Sequence, residues 1–228
     1  MKINSPYIKG DIPHITAAEN PHCMHTLQKF FAREDVIDYL NRGGFAYIYG
    51  LWNSTTVYAA SILTTILLES GVDFLTNAPL IYKESFTHLN IESAVLPDTI
   101  HEIAAEAFYD CRVLQSIVLN PGLTTIGFAA FWGCRSLQSI VLPDGFLNIH
   151  ERAFQECSNL TQISLPSSLT SVGMLAFDGD KQLQKVIFRG TAEQFSKIQG
   201  ISASTCFIPH NATIECTDET FLYGSRYY

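Results

Sequence analysis

The feature that most constrains this chain is a spacing. From Ile91 to Phe188 the same apolar pattern returns every 23 residues, and several columns hold at once. One column reads Ile91, Leu114, Leu137, Leu160, Leu183. Three residues on comes Ala94, Ile117, Ile140, Ile163, Val186, and two further on Leu96, Leu119, Leu142, Leu165, Phe188. A turn column of Pro97, Asn120, Pro143 and Pro166 follows, then Ile100, Leu123, Phe146, Leu169, then Ile103, Ile126, Ile149, Val172. Each unit closes on a small-aromatic pair (Ala107-Phe108, Ala130-Phe131, Ala153-Phe154, Ala176-Phe177) and on Cys111, Cys134 or Cys157, with Asp180 in the last. A period of this size marks a solenoid, in which one unit cannot bury its apolar side alone and stacked units can.

Each unit opens on a short alternating segment, such as Leu114 to Leu119, which reads as a strand. The Pro or Asn after it ends the strand. The apolar spacing of the second half predicts one irregular or helical turn whose Phe plugs the core. Parallel strands lie about 4.8 Å apart, so five coils predict a stack on the order of 20–25 Å long. Unpaired Cys behaves as a compact hydrophobe, so the Cys column reads as a recurring core position, and a reducing compartment would keep the thiols unbridged. Cys23, Cys206 and Cys216 show no pairing pattern.

The unit Leu137-Gln-Ser-Ile-Val-Leu-Pro-Asp-Gly-Phe-Leu-Asn-Ile-His-Glu-Arg-Ala-Phe-Gln-Glu-Cys-Ser-Asn159 resembles the BspA-like leucine-rich repeat family, over about residues 86–218. Val186 to Phe195 followed by Ala212 to Asp218 resembles the closing cap of such arrays, with Phe195 where the family leads one to expect Trp. The resemblance implies a protein- or surface-binding module, and many proteins of this kind are secreted or cell-surface. The cap also reads locally. Thr191 with Gln194 is a capping-box pattern, predicting a helix from Ala192 to about Ile198 with Gly200 as its stop.

Residues 1–85 carry no repeat. Asn4 to Pro21 reads as extended chain or loop, His25 to Leu40 as a helix stopped by Asn41-Arg-Gly-Gly44, and Phe45 to Tyr49 as a strand. Asn53 or Ser54 caps a helix running to Glu69, and Leu80 to Phe86 reads as a degenerate first coil. The expected fold class is therefore α/β: a small α/β N-terminal domain over 1–85, then a short leucine-rich-repeat solenoid of parallel strands over 86–228, with a helix-plus-strand cap from about 189. Both ends of the array are expected to be capped, since terminal units differ from interior ones.

The net charge is −8, with acidic residues scattered rather than in runs. A nucleic-acid surface needs clustered Lys and Arg, so none is expected, nor is an anionic membrane surface. The start of the chain, Met1 to Pro6, lacks the apolar run of a signal peptide. The most apolar stretch, Val57 to Leu68, is shorter than the roughly 20 residues that cross a bilayer. On these grounds the expected location is cytoplasmic.

None of the usual catalytic or nucleotide-binding motifs is present. The densest ligand cluster is His22-Cys23-Met24-His25, with His14 nearby, and neighbours at a helix start do not converge on a metal without a second cluster. His101-Glu102 and His150-Glu151 read as solvent-side turn residues. No nucleophile, base and orienting group group together, so neither enzyme activity nor a cofactor or metal is expected. The candidate site is instead the outward side of the strands: Ser93, Ser116, Ser139, Gln162, Lys185 in one column and Val95, Val118, Val141, Ser164, Ile187 in the next. Contiguous exposed apolar residues mark interfaces; the alternatives are that Val simply suits any strand and that the N-terminal domain folds over this face. The tail Phe221 to Tyr228 carries four aromatics and an Arg, the residue types of interface anchors, and reads alternatively as a frayed terminus or as a segment packed on the cap. The expected function is a non-enzymatic protein-interaction module inside the cell, in one version an inhibitor or adaptor encoded by a phage or mobile element. The alternatives are a cell-surface or adhesion protein, and an enzyme with its site in the N-terminal region.

Overall fold

The structure, a computed structural model, describes residues 8–11, 80–81, 83, 85–88, 90–202 and 204–225. The predicted N-terminal helices, the Phe45–Tyr49 strand and the His14 and His22–His25 group lie outside the described residues. The strands are β1 (Ile8–Asp11), β2 (Leu80–Ile81), β3 (Asn90–Val95), β4 (Glu102–Ile103), β5 (Ser116–Val118), β6 (Thr125–Ile126), β7 (Ser139–Val141), β8 (Asn148–Ile149), β9 (Gln162–Pro166), β10 (Ser171–Val172) and β11 (Lys185–Arg189). Then come helix α1 (Ala192–Ser196), β12 (Thr213–Glu215), β13 (Thr220–Leu222) and a 3-10 turn at Tyr223–Ser225.

The chain winds a β-solenoid of about four turns. The long strands form one face. There β3 pairs with β5, β7 with β9, and β9 with β11, all parallel and in register at the repeat. Between β5 and β7 the strands lie side by side with no ladder hydrogen bond among the described residues, so this face is built as two sheets. The short strands β2, β4, β6, β8 and β10 make a second, continuous parallel sheet. A third face is made of turns, where Phe108 N donates to Ala130 O, Phe131 N to Ala153 O and Phe154 N to Ala176 O at 2.8–2.9 Å.

The second half of each unit departs from the predicted irregular or helical turn. It holds a two-residue strand and then a turn with two left-handed residues per coil. One column is Glu106, Ala129, Arg152, Leu175 at φ 49–58°; the other is Asp110, Gly133, Glu156, Gly179. Positive φ costs an L-residue roughly 1–2 kcal/mol and stops a right-handed helix. The hydrogen bonds from Glu106 N to Phe128 O, Ala129 N to Glu151 O and Arg152 N to Met174 O offset that cost. The α/β class also rests on the N-terminal domain, which lies outside the described residues. Among the described residues the array is β, and α1 is its one α-helix.

The core runs as a spine up the stack. Phe86, Phe108, Phe131, Phe154 and Phe177 are buried, with successive centroids 4.9, 5.2, 5.4 and 5.7 Å apart and interplanar angles falling from 20° to 1°. These separations approach the strand spacing of about 4.8 Å, so each coil contributes one ring at its own height. Phe86 bears out the degenerate first coil: Ile81 pairs with Ile103, and Phe86 N donates to Ala107 O at 2.7 Å. Beside the rings run the thiols. Cys111 Sγ donates to Phe86 O, Cys134 Sγ to Phe108 O and Cys157 Sγ to Phe131 O at 2.9–3.2 Å, so the Cys column is a core column with a donor in it.

Both ends are covered. β1 pairs antiparallel with β3, with Ile8 opposite Ala94 and Asp11 opposite Asn90. At the other end Thr191 and Gln194 form the capping box of α1, and Phe195 packs edge-on against Phe188 at 5.4 Å. β12 pairs parallel with β11, and β13 folds back on it antiparallel. The described part of the tail, through Ser225, packs on the cap: the buried Tyr223 hydroxyl reaches Ile201 O and Cys206 Sγ.

Asp180 breaks the thiol column. It is 1% exposed and neither carboxylate oxygen has a hydrogen-bond partner. Burial pushes its carboxyl well above the usual carboxylate range, and the nearby Glu156 and Asp178 push the same way. Neutral, it carries a donor, as the thiols of its column do. Between the unfolded carboxyl value of about 3.9 and the raised folded value, the folded chain holds a proton that the unfolded chain has lost. Stability therefore falls as pH rises through that window. Two outcomes are expected in urea unfolding. Phe131→Ala should cost about 3–5 kcal/mol. Asp180→Cys should raise stability at pH 7.5 and flatten the decline between pH 4.5 and 7.5.

Candidate functional site

The outward side of the long strands follows from their pleat. Ile117, Ile140 and Ile163 point inward and are buried, so their neighbours point out. Val95, Val118 and Val141 are 46%, 58% and 60% exposed, a stripe of three β-branched side chains one coil apart. Ser116 and Ser139 beside them are exposed and Ser93 is half-buried. Those six predicted residues form one continuous patch across β3, β5 and β7.

The other four are placed differently. Ser164, predicted to face out, is buried at 7% exposure. Its cover is Arg189, whose guanidinium donates to Ser164 Oγ at 2.6 Å, to Leu142 O at 2.6 Å and to Asp144 Oδ1 at 2.9 Å. Ile187 and Gln162 are half-buried. Lys185 is half-buried too and pairs with Glu215 Oε1 at 2.8 Å. The apolar stripe thus ends against the Arg189–Asp144 clamp. Sequence reasoning missed this clamp because Arg189 reaches back over two coils. It also passed over the polar column Glu92, Gln115, Gln138, Thr161, Gln184, which is exposed along the same edge. On β11, Lys185 and Arg189 are both paired with carboxylates.

On the turn face, Asp110 gathers His88 Nδ1 at 3.0 Å and Arg112 Nε at 2.9 Å. Burial pushes its carboxyl up, but the hydrogen bonds and charges of Arg112 and His88 outweigh burial and hold it below its ordinary value. Tyr109 and Trp132 stack at 4.6 Å outside the core. His101 is exposed, with Nδ1 3.2 Å from Gly122 O, and His150 is an exposed turn residue. Among the described residues no group of three His, Cys, Asp or Glu could hold a metal ion, and no helix is long and apolar enough to cross a membrane.

Parallel coils at a 23-residue period, a Phe spine and an open strand face define a leucine-rich-repeat solenoid. The chain belongs to the BspA type leucine rich repeat family, whose repeat region in six copies matches residues 80–203. A leucine rich cell surface protein from Faecalibacterium prausnitzii is 31% identical with a TM-score of 0.51, over 54% of this chain and 32% of that one. A leucine-rich repeat protein from Bacteroides ovatus is 25% identical with a TM-score of 0.47, over 60% and 32%. A leucine rich repeat protein from T. pallidum is 28% identical with a TM-score of 0.41, over 55% and 51%. The chain spans about a third of the length of the first two. No curated protein is a significant match to it.

The clamp has a measurable consequence. Arg189→Met removes the hydrogen bonds to Ser164, Leu142 and Asp144, and the exposure of Asp144 makes its share small. Unfolding should become easier by about 2 kcal/mol in total. Hydrogen exchange should speed up at the Leu142 amide, which donates to Ser164 O, more than at Phe131.

Proposed function

We propose that this chain is a non-enzymatic protein-binding module of the kind found in bacterial cell-surface leucine-rich-repeat proteins. The observation that carries the reading is the exposed stripe Val95, Val118, Val141, flanked by Ser116 and Ser139. Uncharged, ordered and apolar, it suits a protein surface far better than a phosphate backbone. The paired state of Lys185 and Arg189 supports the same choice. Burying such a stripe contributes on the order of 1 kcal/mol per Val, enough to anchor an interface whose rim is Ser and Gln.

Two settings follow from the sequence: an intracellular inhibitor or adaptor of phage or mobile-element origin, and a cell-surface or adhesion protein. Similarity to a Faecalibacterium prausnitzii cell surface protein supports the second. Ser93, Gln162, Lys185 and Ile187 belong to the rim of the binding face, and Ser164 acts beneath it as the seat of Arg189.

The double variant Val118→Glu, Val141→Glu places two carboxylates in the stripe on side chains that already face solvent. Folding should be preserved, judged by an unchanged circular dichroism melt. Capture of the partner protein from host-cell surface extracts, quantified against wild type, should fall by at least about tenfold, the equivalent of about 1.4 kcal/mol. Undiminished capture would remove the strand face from the account. Surface biotinylation of intact producing cells tests the setting: labelled protein is expected, and protein confined to the cytosolic fraction would favour the inhibitor or adaptor.

A further inference from the structure

Stacking makes the core columns uniform, so an outer side chain that departs from its column is not there to hold the coils together. Three outer columns depart in the same place. The first reads Tyr109, Trp132, Gln155, Asp178, the second Ala105, Phe128, Glu151, Met174, and the third Glu106, Ala129, Arg152, Leu175. In the coil that holds Trp132, two aromatic residues therefore flank an alanine, while the coils on either side carry Glu106 and Arg152 at the alanine position. A cleft of about 430 Å³ opens here on the turn face, lined by Ala129 and the aromatic Tyr109, Phe128 and Trp132, with the polar Thr87, His88, Glu106 and Arg152 around them. Phe128 is 37% exposed, a large apolar side chain that an isolated coil surface has no need to display.

We propose that this cleft is a carbohydrate-binding site that takes one pyranose ring of a neutral glycan. A pyranose has a flat C–H face and pairs of hydroxyls around its edge. Phe128, together with the outer surface of the Tyr109–Trp132 stack, offers apolar surface for the first. A carboxylate and a guanidinium each offer two coplanar polar atoms for the second. Arg152 is steadied by Glu151 at 3.3 Å, so its fork is held at the rim. Glu106 and the Glu151–Arg152 pair leave the rim mildly acidic, which disfavours an anionic ligand. The volume lies within the range of about 300–1,000 Å³ typical of small-ligand sites. An apolar peptide side chain fits less well, because it would strip water from Glu106 and Arg152 without replacing their hydrogen bonds. The cleft lies on the turn face, apart from the valine stripe, so the inference stands independently of the protein-binding reading.

The repeat itself supplies the controls. Ala129→Arg places at the same left-handed backbone position the residue that Arg152 carries, and crowds the cleft from Ala129, which is buried where Arg152 is exposed. Trp132→Gln installs the residue that Gln155 carries one coil on. The full chain and both variants are titrated with maltohexaose, N-acetylchitohexaose and a lactosamine tetrasaccharide, followed by calorimetry and tryptophan emission. At least one oligosaccharide should bind wild type saturably. Both variants should bind it at least about tenfold more weakly, with melting temperatures within about 3 °C of wild type. The proposal is overturned if wild type binds none of the three, or if Ala129→Arg or a folded Trp132→Gln binds as wild type does. It is also overturned if binding is lost in the Val118→Glu, Val141→Glu variant instead.

Discussion

One buried phenyl ring per coil, stacked on the ring of the coil before, is the interaction on which the rest of this molecule depends. A single 23-residue coil has a few apolar side chains and no second layer to cover them. The next coil is that layer. Phe108, Phe131, Phe154 and Phe177 are each sealed by a neighbour in the column. The same vertical step brings backbone amides into ladder distance on three faces and each Cys thiol onto a Phe carbonyl below it. Spine and ladder demand the same register, so the period in the sequence becomes the pitch of the structure. A terminal coil lacks a neighbour, which is why β1 and the α1–β12–β13 cap lie where they do.

The sequence was legible wherever burial repeats. The inward Leu and Ile columns, the Phe plug, the Cys column, the degenerate coil at Leu80–Phe86 and the Thr191–Gln194 cap could all be read, because each is a local pattern tied to one physical demand. The second sheet could not, since strands of two residues such as Thr125–Ile126 leave no alternation to detect. Nor could the first left-handed column, because Glu106, Ala129, Arg152 and Leu175 are not the residues that announce positive φ. The site was legible in part. Val95, Val118 and Val141 follow from pleat alternation, but the burial of Ser164 depends on a guanidinium 25 residues away. The cleft around Ala129 was invisible for a similar reason: its lining is gathered from successive coils.

This division has a functional meaning. Inside, the columns are nearly uniform, and a departure such as Asp180 brings a buried, unpartnered carboxyl. Outside, columns vary at little cost to the stack, and that is where recognition can be written. The long-strand face offers an uncharged valine stripe, and the turn face an aromatic hollow with polar rims. The two proposals therefore place a protein partner and a second ligand on different faces of one scaffold. Membership of the BspA type family fits such a scaffold.

The central claim is that the coils form one cooperative stack held along the Phe spine. Native-state hydrogen exchange by mass spectrometry, followed against denaturant, tests it most directly. The account predicts that the amides of Phe108, Phe131 and Phe154 are among the slowest in the described array, and that they exchange with one free energy and one denaturant slope, through opening of the stack as a whole. Exchange of these amides coil by coil, each with its own small opening energy, or as fast as the exposed Asp144–Gly145 turn, would contradict it.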